Sequence, residues 1–272
     1  MFVKPTEGRF MEIKQYSKYL HHWTVELYEQ TVTEIEDVQM IKKMIGDRKE
    51  QHIFEVCCGS GRILVPLAKD GHIVVGLDMD NLMLAKLFEK TQGLENITVI
   101  QADAITANWG EEYDVVILAG NVLLNIISNN DNKVAQQKLI EKSYSVLKPG
   151  GHIYLDTHLV AHPEQFFGQP GERVIFEGID SWGTYGRYIL IDEKYNAQKQ
   201  VVSGVRRFEL RLKSGETFCK EESYVKHIPT AQEIEGWITA AGLVIERRYG
   251  DYKGNPISET TNRAIYWAKR NF

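Results

Sequence analysis

Apolar and polar positions along the chain fall into three regimes. From about residue 10 to 45 the apolar side chains recur at helical spacing, first Tyr16, Tyr19, Leu20, Trp23, Leu27 and Tyr28, then Ile35, Val38, Ile41 and Ile45. That spacing predicts helices, the later one opened by Thr33 as N-cap with Glu36 three residues on. From residue 53 to about 156, short apolar runs alternate with helical stretches. Strands are predicted at 53–56, 73–77, 97–100, 113–118 and 152–156, and helices at 63–69, 81–90 and 131–147. Strands alternating with helices imply a parallel sheet. The run Leu147-Lys148-Pro149-Gly150-Gly151 is expected to end the helix at 131–147 before the fifth strand. From about 173 to 227 the pattern turns to long stretches rich in Val, Ile, Tyr and Phe, at 187–195, 200–212 and 217–226, an antiparallel signature. Pro229-Thr230 with Glu233 then starts a helix whose apolar face is Ile234, Trp237, Ile238 and Ala241. Gly242 closes it, and strands at 243–246 and 263–268 end the pattern.

The first of the alternating strands ends in Glu55-Val56-Cys57-Cys58-Gly59-Ser60-Gly61-Arg62. Two glycines one residue apart permit a sharp turn and a close approach of ligand to backbone. The helix that follows opens with unpaired N–H groups. A strand, a glycine turn and a helix form a small-molecule site at the carboxyl end of a strand. A dinucleotide fingerprint would carry a third glycine where Leu64 stands. Glu55 suits a cationic ligand group better than a pyrophosphate. Asp78, at the end of the second strand, lies where such units place an acid on a ribose. Its alternative role is the N-cap of the helix at 81–90, for which Asp80 also qualifies.

Composition narrows the partners. The net charge is −5 and 43% of residues are hydrophobic. Mild acidity without clustered Lys and Arg argues against nucleic acid. No apolar run is long enough to span a membrane, and Lys4, Glu7, Arg9, Glu12 and Lys14 leave no apolar signal core. Three cysteines form no disulfide framework, which points to a reducing, cytoplasmic setting. No His, Cys or Asp set has zinc spacing, so no metal is expected.

The sequence Glu55-x-x-x-Gly59-x-Gly61, the acids Asp78 and Asp103, the turn Leu147-Lys148-Pro149-Gly150-Gly151 and the ending Ala241-Gly242-Leu243 through Tyr249-Gly250-Asp251-Tyr252 together resemble class I methyltransferases dependent on S-adenosylmethionine (SAM). Cys57 stands where that family often carries a further glycine. The resemblance implies an α/β fold: a Rossmann-like, mostly parallel sheet of seven strands, with an N-terminal helical arm and an inserted antiparallel β meander. The expected division is 1–45 arm or lid, 46–160 SAM-binding core, 161–228 inserted β region, and 229–272 completing the core sheet. It implies that SAM is held by Tyr28, Glu55, Cys58, Gly59, Gly61, Arg62, Asp78, Met79, Asp103, Ala104, Ala119 and Asn121. S-adenosylhomocysteine is the product.

The acceptor is less determined. Tyr16 and Trp23 on the arm, and Trp182, Tyr185 and Arg187 in the insertion, are candidate acceptor contacts, with core packing as the competing role for each. Asp156 and His158, after the fifth strand, are the candidate catalytic groups. The leading expectation is methyl transfer to an amine nitrogen of a small molecule or modified peptide. A narrower resemblance is to enzymes that dimethylate the N-terminal amine of azole-containing peptide antibiotics of the plantazolicin type. An O-methyltransferase is the runner-up. A nicotinamide-dependent oxidoreductase and a non-catalytic SAM-binding protein are the readings from other classes. The chain is expected to be a monomer or homodimer, and the insertion either a pocket wall or a dimer interface.

Overall fold

In a computed structural model the residues described are 13–128, 131–168 and 170–271, with backbone alone at 13–15. The expected helical start near Phe10 and the charged positions from Lys4 to Glu12 lie outside the described residues.

The elements run, in chain order, α1 (Ile13–Thr31), α2 (Glu36–Ile45), β1 (His52–Val56), α3 (Leu64–Lys69), β2 (Ile73–Asp78), α4 (Asn81–Lys90), β3 (Ile97–Gln101), β4 (Tyr113–Leu118), α5 (Val122–Asn125), α6 (Asn132–Val146), β5 (Leu147–His158), α7 (Pro163–Phe167), β6 (Glu172–Ile179), β7 (Tyr185–Asn196), β8 (Val201–Arg211), β9 (Thr217–His227), α8 (Ala231–Ala240), β10 (Leu243–Tyr249) and β11 (Arg263–Arg270). They make two compact units. One holds α1 and residues 167–196 and 202–225; the other holds 34–166, 197–201 and 226–271.

The larger unit is a seven-stranded sheet in the order β10-β11-β5-β4-β1-β2-β3. Strands β1 to β5 pair in parallel, and β11 runs antiparallel to both β5 and β10. The central parallel strands β1 and β4 are buried on both faces, which is why they read as continuous apolar runs, whereas the edge strand β3 is only partly buried. Ile53, Phe54, Val115, Val116, Ile117 and Leu118 have no exposed surface. One face packs Val38, Ile41, Met44 and Ile45 of α2 and Leu64 and Leu67 of α3; the other packs Leu139 and Ile140 of α6 and Ile234 and Ile238 of α8. The strand order reverses between β1 and β4, the point where open α/β sheets bind ligands.

Local chemistry accounts for the element ends. Thr230 and Glu233 form a reciprocal capping box at α8. Asp80 caps α4 by accepting from the N–H groups of Leu82 and Met83. Thr33 does not cap α2: Ile35 is the N-cap, without a side-chain bond, and Glu36 accepts from its N–H. The run at 147–151 follows the end of α6 at Val146 as expected, but it belongs to β5 and is not a turn before it. Leu147 pairs with Tyr113 and His152 with Val115, so five residues of β5 oppose two of β4 in a bulge that holds Gly150 at φ 81°.

The smaller unit is the four-stranded sheet β6-β7-β8-β9, with β6 antiparallel to β7. Its face is covered by α1 through a cluster of Trp23, Leu27 and Leu210 with Tyr16, Phe176, Tyr188 and Phe208. A Cβ on Gly186 would lie 2.4 Å from Trp23, so that glycine makes room for the indole.

Two positions around the turn after β1 set its geometry. A Cβ on Gly76 of β2 would lie 2.7 Å from both Cys58 Sγ and Leu64 Cδ2, so α3 sits this close to the sheet only over a glycine. Cys57 has φ 55°, in the left-handed region that costs an L-residue roughly 1–2 kcal/mol. Gly76→Ala is expected to lower stability by about 1–3 kcal/mol in urea unfolding, because both obstructing groups are themselves buried. Cys57→Gly should stay within about 1 kcal/mol of the parent, relief of strain offsetting backbone entropy. Cys57→Val should lose about 2 kcal/mol or more, since a β-branched side chain tolerates that conformation least.

Candidate active site

The turn after β1 is built by the sequence Cys57-Cys58-Gly59-Ser60-Gly61. Cys57, Gly59 and Gly61 all have positive φ, at 55°, 54° and 79°. Cys58 N–H donates to Leu77 O at 3.0 Å, so the turn begins still tied to β2. Gly61 N–H donates back to Cys58 O at 2.9 Å, and Val65 N–H to Gly61 O at 3.0 Å opens α3. Across the turn, Gly59 N–H donates to Asp78 Oδ2 at 2.8 Å. Asp78 Oδ1 accepts from Asp80 N–H at 2.8 Å. Asp80 takes the capping role, which leaves Asp78 as the pin between the turn and β2. Burial raises the Asp78 carboxyl above the ordinary aspartate range, and the backbone donors at Asp80 and Gly59 oppose that. Met79 follows it with 68% of its surface exposed, an apolar side chain left in solvent at the carboxyl end of β2.

Glu55 lies beneath the turn. It is 5% exposed, and its Oε2 is buried with no hydrogen-bond partner among the described residues. Burial pushes its pKa up to about 8, against the lowering charge of Arg62 and with a smaller raising contribution from Asp37 and Asp78. An unsatisfied buried carboxyl oxygen is costly. Its presence beside a glycine cradle fits a cationic group docking there. Burial also pushes the Cys57 thiol up to about 12 and Cys58 higher still, so neither is a nucleophile at neutral pH.

Arg62, expected to face a ligand carboxylate, is engaged within the protein. Its Nη2 pairs with Asp37 Oδ2 of α2, and its Nη1 donates to Asp37 Oδ1 and to Glu34 O, each at 2.7 Å. Asp103, after β3, accepts at Oδ1 from the N–H groups of Ile105 and Thr106 at 2.8 and 2.9 Å. Ala104 is buried, and its carbonyl accepts from Trp109 Nε1 and from Lys142 Nζ. Ala119 is buried at the end of β4, and Gly120 and Asn121 follow with φ 64° and 63°. Two successive left-handed residues, one of them not glycine, mark a strained functional corner.

The carboxyl end of β5 and the amino end of β11 meet in a polar network. Asp156 is 1% exposed. Its Oδ1 accepts from Arg263 Nη1 and its Oδ2 from the Tyr252 hydroxyl. Arg263 Nη1 also donates to the Tyr252 hydroxyl at 2.7 Å, and its Nη2 lies 2.6 Å from His158 Nε2. His158 N–H donates to Asn121 Oδ1 at 2.7 Å. This network lines a cavity of about 490 Å³ whose wall includes His158, Arg263, Asp251, Asn255 and Ser258. A second cavity, of about 640 Å³, lies on the other side of Arg263 against Glu34, Met40 and Tyr252. Asp37 and Arg263 were missed as site residues in the sequence, since nothing local marks them, and Tyr252 was noted there only within the ending that carries the family resemblance. Arg263 is 107 residues from Asp156 and Tyr252 is 96.

The remaining expected residues lie in the smaller unit. Trp23 is a core residue there: it has no exposed surface, and its Nε1 donates to Gly178 O at 3.1 Å. Tyr16 packs against Phe218 with its hydroxyl buried. Tyr28 is half-buried on α1. Trp182 stacks on His22 at 3.5 Å between ring centroids. The Tyr185 hydroxyl donates to Glu177, and Arg187 pairs with Glu177 and Glu209. The five residues read as acceptor contacts, Tyr16, Trp23, Trp182, Tyr185 and Arg187, each have partners within their own unit. Among the described residues no group of three or more His, Cys, Asp or Glu side chains could hold a metal ion, and no helix is long and apolar enough to cross a membrane.

A family model described as a methyltransferase domain matches residues 53–151, the stretch from β1 through the bulge of β5. A chain from Geobacillus sp. (strain WCH70), named no more finely than as a methyltransferase, is 22% identical over 239 residues, covering 86% of this chain and 90% of its own. The structure of a SAM-dependent methyltransferase from Clostridium acetobutylicum ATCC 824 shares the fold with a TM-score of 0.71 at 18% identity, over 95% of this chain and all of the other. So does that of a SAM-bound amino pentose methyltransferase from Micromonospora echinaspora, with a TM-score of 0.60 at 17% identity, over 98% of this chain and 100% of its own. The glycine turn, the sheet order and the family match converge: residues 53–151 match a methyltransferase domain, and the chain that carries them has the fold of class I SAM-dependent methyltransferases.

Proposed function

We propose that this enzyme methylates an amine nitrogen of a small molecule or modified peptide, and that the acceptor arrives as the neutral amine. The observation that carries this reading is that neither candidate base has a free site for a proton. Asp156 is buried with both oxygens taken by Arg263 and Tyr252. His158 has a donor against each ring nitrogen, Arg263 at 2.6 Å and the Asn121 amide at 3.2 Å. A hydroxyl acceptor needs a base to remove its proton, whereas a neutral amine needs alignment and desolvation alone. An amine-bearing acceptor also agrees with the name of the amino pentose methyltransferase that shares the fold.

In this reading the residues around the turn divide the cofactor. SAM, when bound, supplies an electrophilic methyl group on a sulfonium. Glu55 Oε2 takes the cofactor's ammonium, for which its buried, unpartnered oxygen is suited. The backbone at Cys58, Gly59 and Gly61 admits the ligand close to the chain. Asp78 accepts from the ribose hydroxyls with the capacity its two backbone donors leave. Met79 offers an apolar face to the adenine, and Asp103 with Ala104 supports its edge. Ala119 and Asn121 form the wall beside the transferring methyl. Arg62 holds the turn against α2 through Asp37, a role that replaces direct contact with the cofactor's carboxylate.

Screening acceptors with isotopically labelled SAM should give product with amines and none with the matching alcohols. The ratio kcat/KM should climb about tenfold per pH unit below the acceptor amine's own pKa, as the neutral fraction grows. Product from alcohols alone would overturn the reading. Glu55 gives a second prediction. Its folded pKa of about 8 lies above its unfolded value, so its contribution is full at acid pH and is lost as pH rises through 8. The free protein should therefore lose stability between about pH 5 and pH 9, by an amount on the order of 4 kcal/mol. Glu55→Gln should flatten that dependence in urea titrations and weaken S-adenosylhomocysteine binding by roughly 10- to 100-fold.

A further inference from the structure

We infer that Arg263 is a positioning residue that fixes the tautomer and the uncharged state of His158 on the cavity wall. An arginine side chain has donors and no acceptor. Its Nη2 lies 2.6 Å from His158 Nε2, so that nitrogen must present its lone pair. A neutral imidazole has one lone pair in the ring plane to give, and the shorter, charged contact claims it. The ring proton therefore sits on Nδ1, where it faces the Asn121 amide nitrogen at 3.2 Å, a longer contact with a neutral donor that costs less than the same conflict at 2.6 Å with a cation. Protonating Nε2 would set an N–H against the guanidinium at hydrogen-bond distance, a donor facing a donor and a cation facing a cation.

Arg263 is itself held on three sides. Its Nη1 meets Asp156 Oδ1 and the Tyr252 hydroxyl, and its guanidinium carbon lies 4.5 Å from the centre of the Tyr252 ring. The buried Asp156 charge balances it, so the guanidinium is fixed in place rather than swinging in solvent. The other charged groups about His158 are Glu34, which precedes α2 and favours the imidazolium, and Asp251 on the opposite wall of the cavity. Burial and Arg263 outweigh Glu34, and the His158 pKa falls below the ordinary histidine value. The chain Asp156, Arg263, His158, Asn121 thus links β5, β11 and the left-handed corner after β4.

The consequence rests on the placement of the methyl-transfer centre beside Asn121. The reaction passes positive charge from a sulfonium to an ammonium. An imidazolium on that wall would repel both, whereas a neutral ring leaves them undisturbed. Arg263 keeps the ring neutral without adding net charge, because Asp156 cancels its own.

The test is direct titration of the histidine rings in the full-length free protein, labelled with ¹⁵N-histidine and assigned with His158→Gln. In the parent, His158 should show the neutral pattern with the proton on Nδ1 and should titrate below the ordinary histidine range. In Arg263→Gln its midpoint should rise by at least one pH unit and the fixed tautomer should be lost. Arg263→Lys, which keeps a charge but loses the fork that reaches Asp156 and His158 together, should also lose the fixed tautomer. Tyr252→Phe, which leaves Arg263 and Asp156 in place, should retain it. A parent His158 that titrates near 6.5 would overturn the inference, as would an Nε2–H tautomer or an Arg263→Gln protein with an unchanged midpoint. Should Arg263→Gln fail to fold, the parent titration and Arg263→Lys still decide. Because the readout uses neither cofactor nor acceptor, failure of the amine reading would leave this result standing.

Discussion

The contact from Gly59 N–H to Asp78 Oδ2 is the interaction on which the site depends. It joins the turn after β1 to the end of β2, two neighbouring strands of the sheet whose turn is otherwise held by Cys58 N–H on Leu77 O. Everything nearby is arranged so that this bond can form. Gly76 lacks the Cβ that would push Cys58 and Leu64 away from β2. Asp80 caps α4, so Asp78 is not drawn into that role. The left-handed φ of Cys57, Gly59 and Gly61 directs the chain over Glu55 and into α3. Arg62 then anchors the far side of the turn to Asp37. Strain at Cys57 is thus one local cost within a turn whose other members are glycine or hydrogen-bonded.

Two buried acids at strand ends show how the same residue type takes opposite roles. Asp156 at the end of β5 is fully compensated, with Arg263 on one oxygen and Tyr252 on the other. Removing a partner from such a pair leaves a buried charge behind, so it acts as structure. Glu55 at the end of β1 has one oxygen without a partner and a pKa raised toward neutrality. A group left in that state is stabilised by an incoming cation, which is the basis for proposing it as a ligand contact. Burial alone does not separate these roles, since the two are 1% and 5% exposed. Hydrogen-bond satisfaction does.

This difference explains what could be read from the sequence. The alternation of strands and helices through β5, the antiparallel stretch and the capping box at α8 each follow from local pattern, and so were legible. The glycine turn and Asp78 were legible because motif and position coincide within a stretch of about 25 residues. Asp156 and His158 were legible as interesting, but their state was not. That state is set by Arg263 and Tyr252, from another strand and a loop about 100 residues away. Trp23 was ambiguous for a related reason: an aromatic stripe on a helix has the same spacing whether it faces a ligand or a sheet. Only the absence of a side chain at Gly186, across the cluster, decides for the sheet. Thr33 failed as a cap because the helix starts two residues later than its capping box would require.

The strained positions give the two halves of the site a common logic. The switch in strand order falls between β1 and β4, and each of those strands ends in a non-glycine residue of positive φ, Cys57 and Asn121. Such residues persist only where the surroundings over-determine them. Around Cys57 the determinants are backbone bonds to β2 and the pin at Asp78. Around Asn121 they are its contacts with His158, which is fixed in turn by Arg263. The two corners are therefore stiffened by different elements of one sheet, the first from β2 and the second from β5 and β11. In-line methyl transfer requires donor and acceptor to be aligned within a fraction of an ångström. A site whose two walls are each held by hydrogen bonds to neighbouring strands meets that requirement before any ligand arrives.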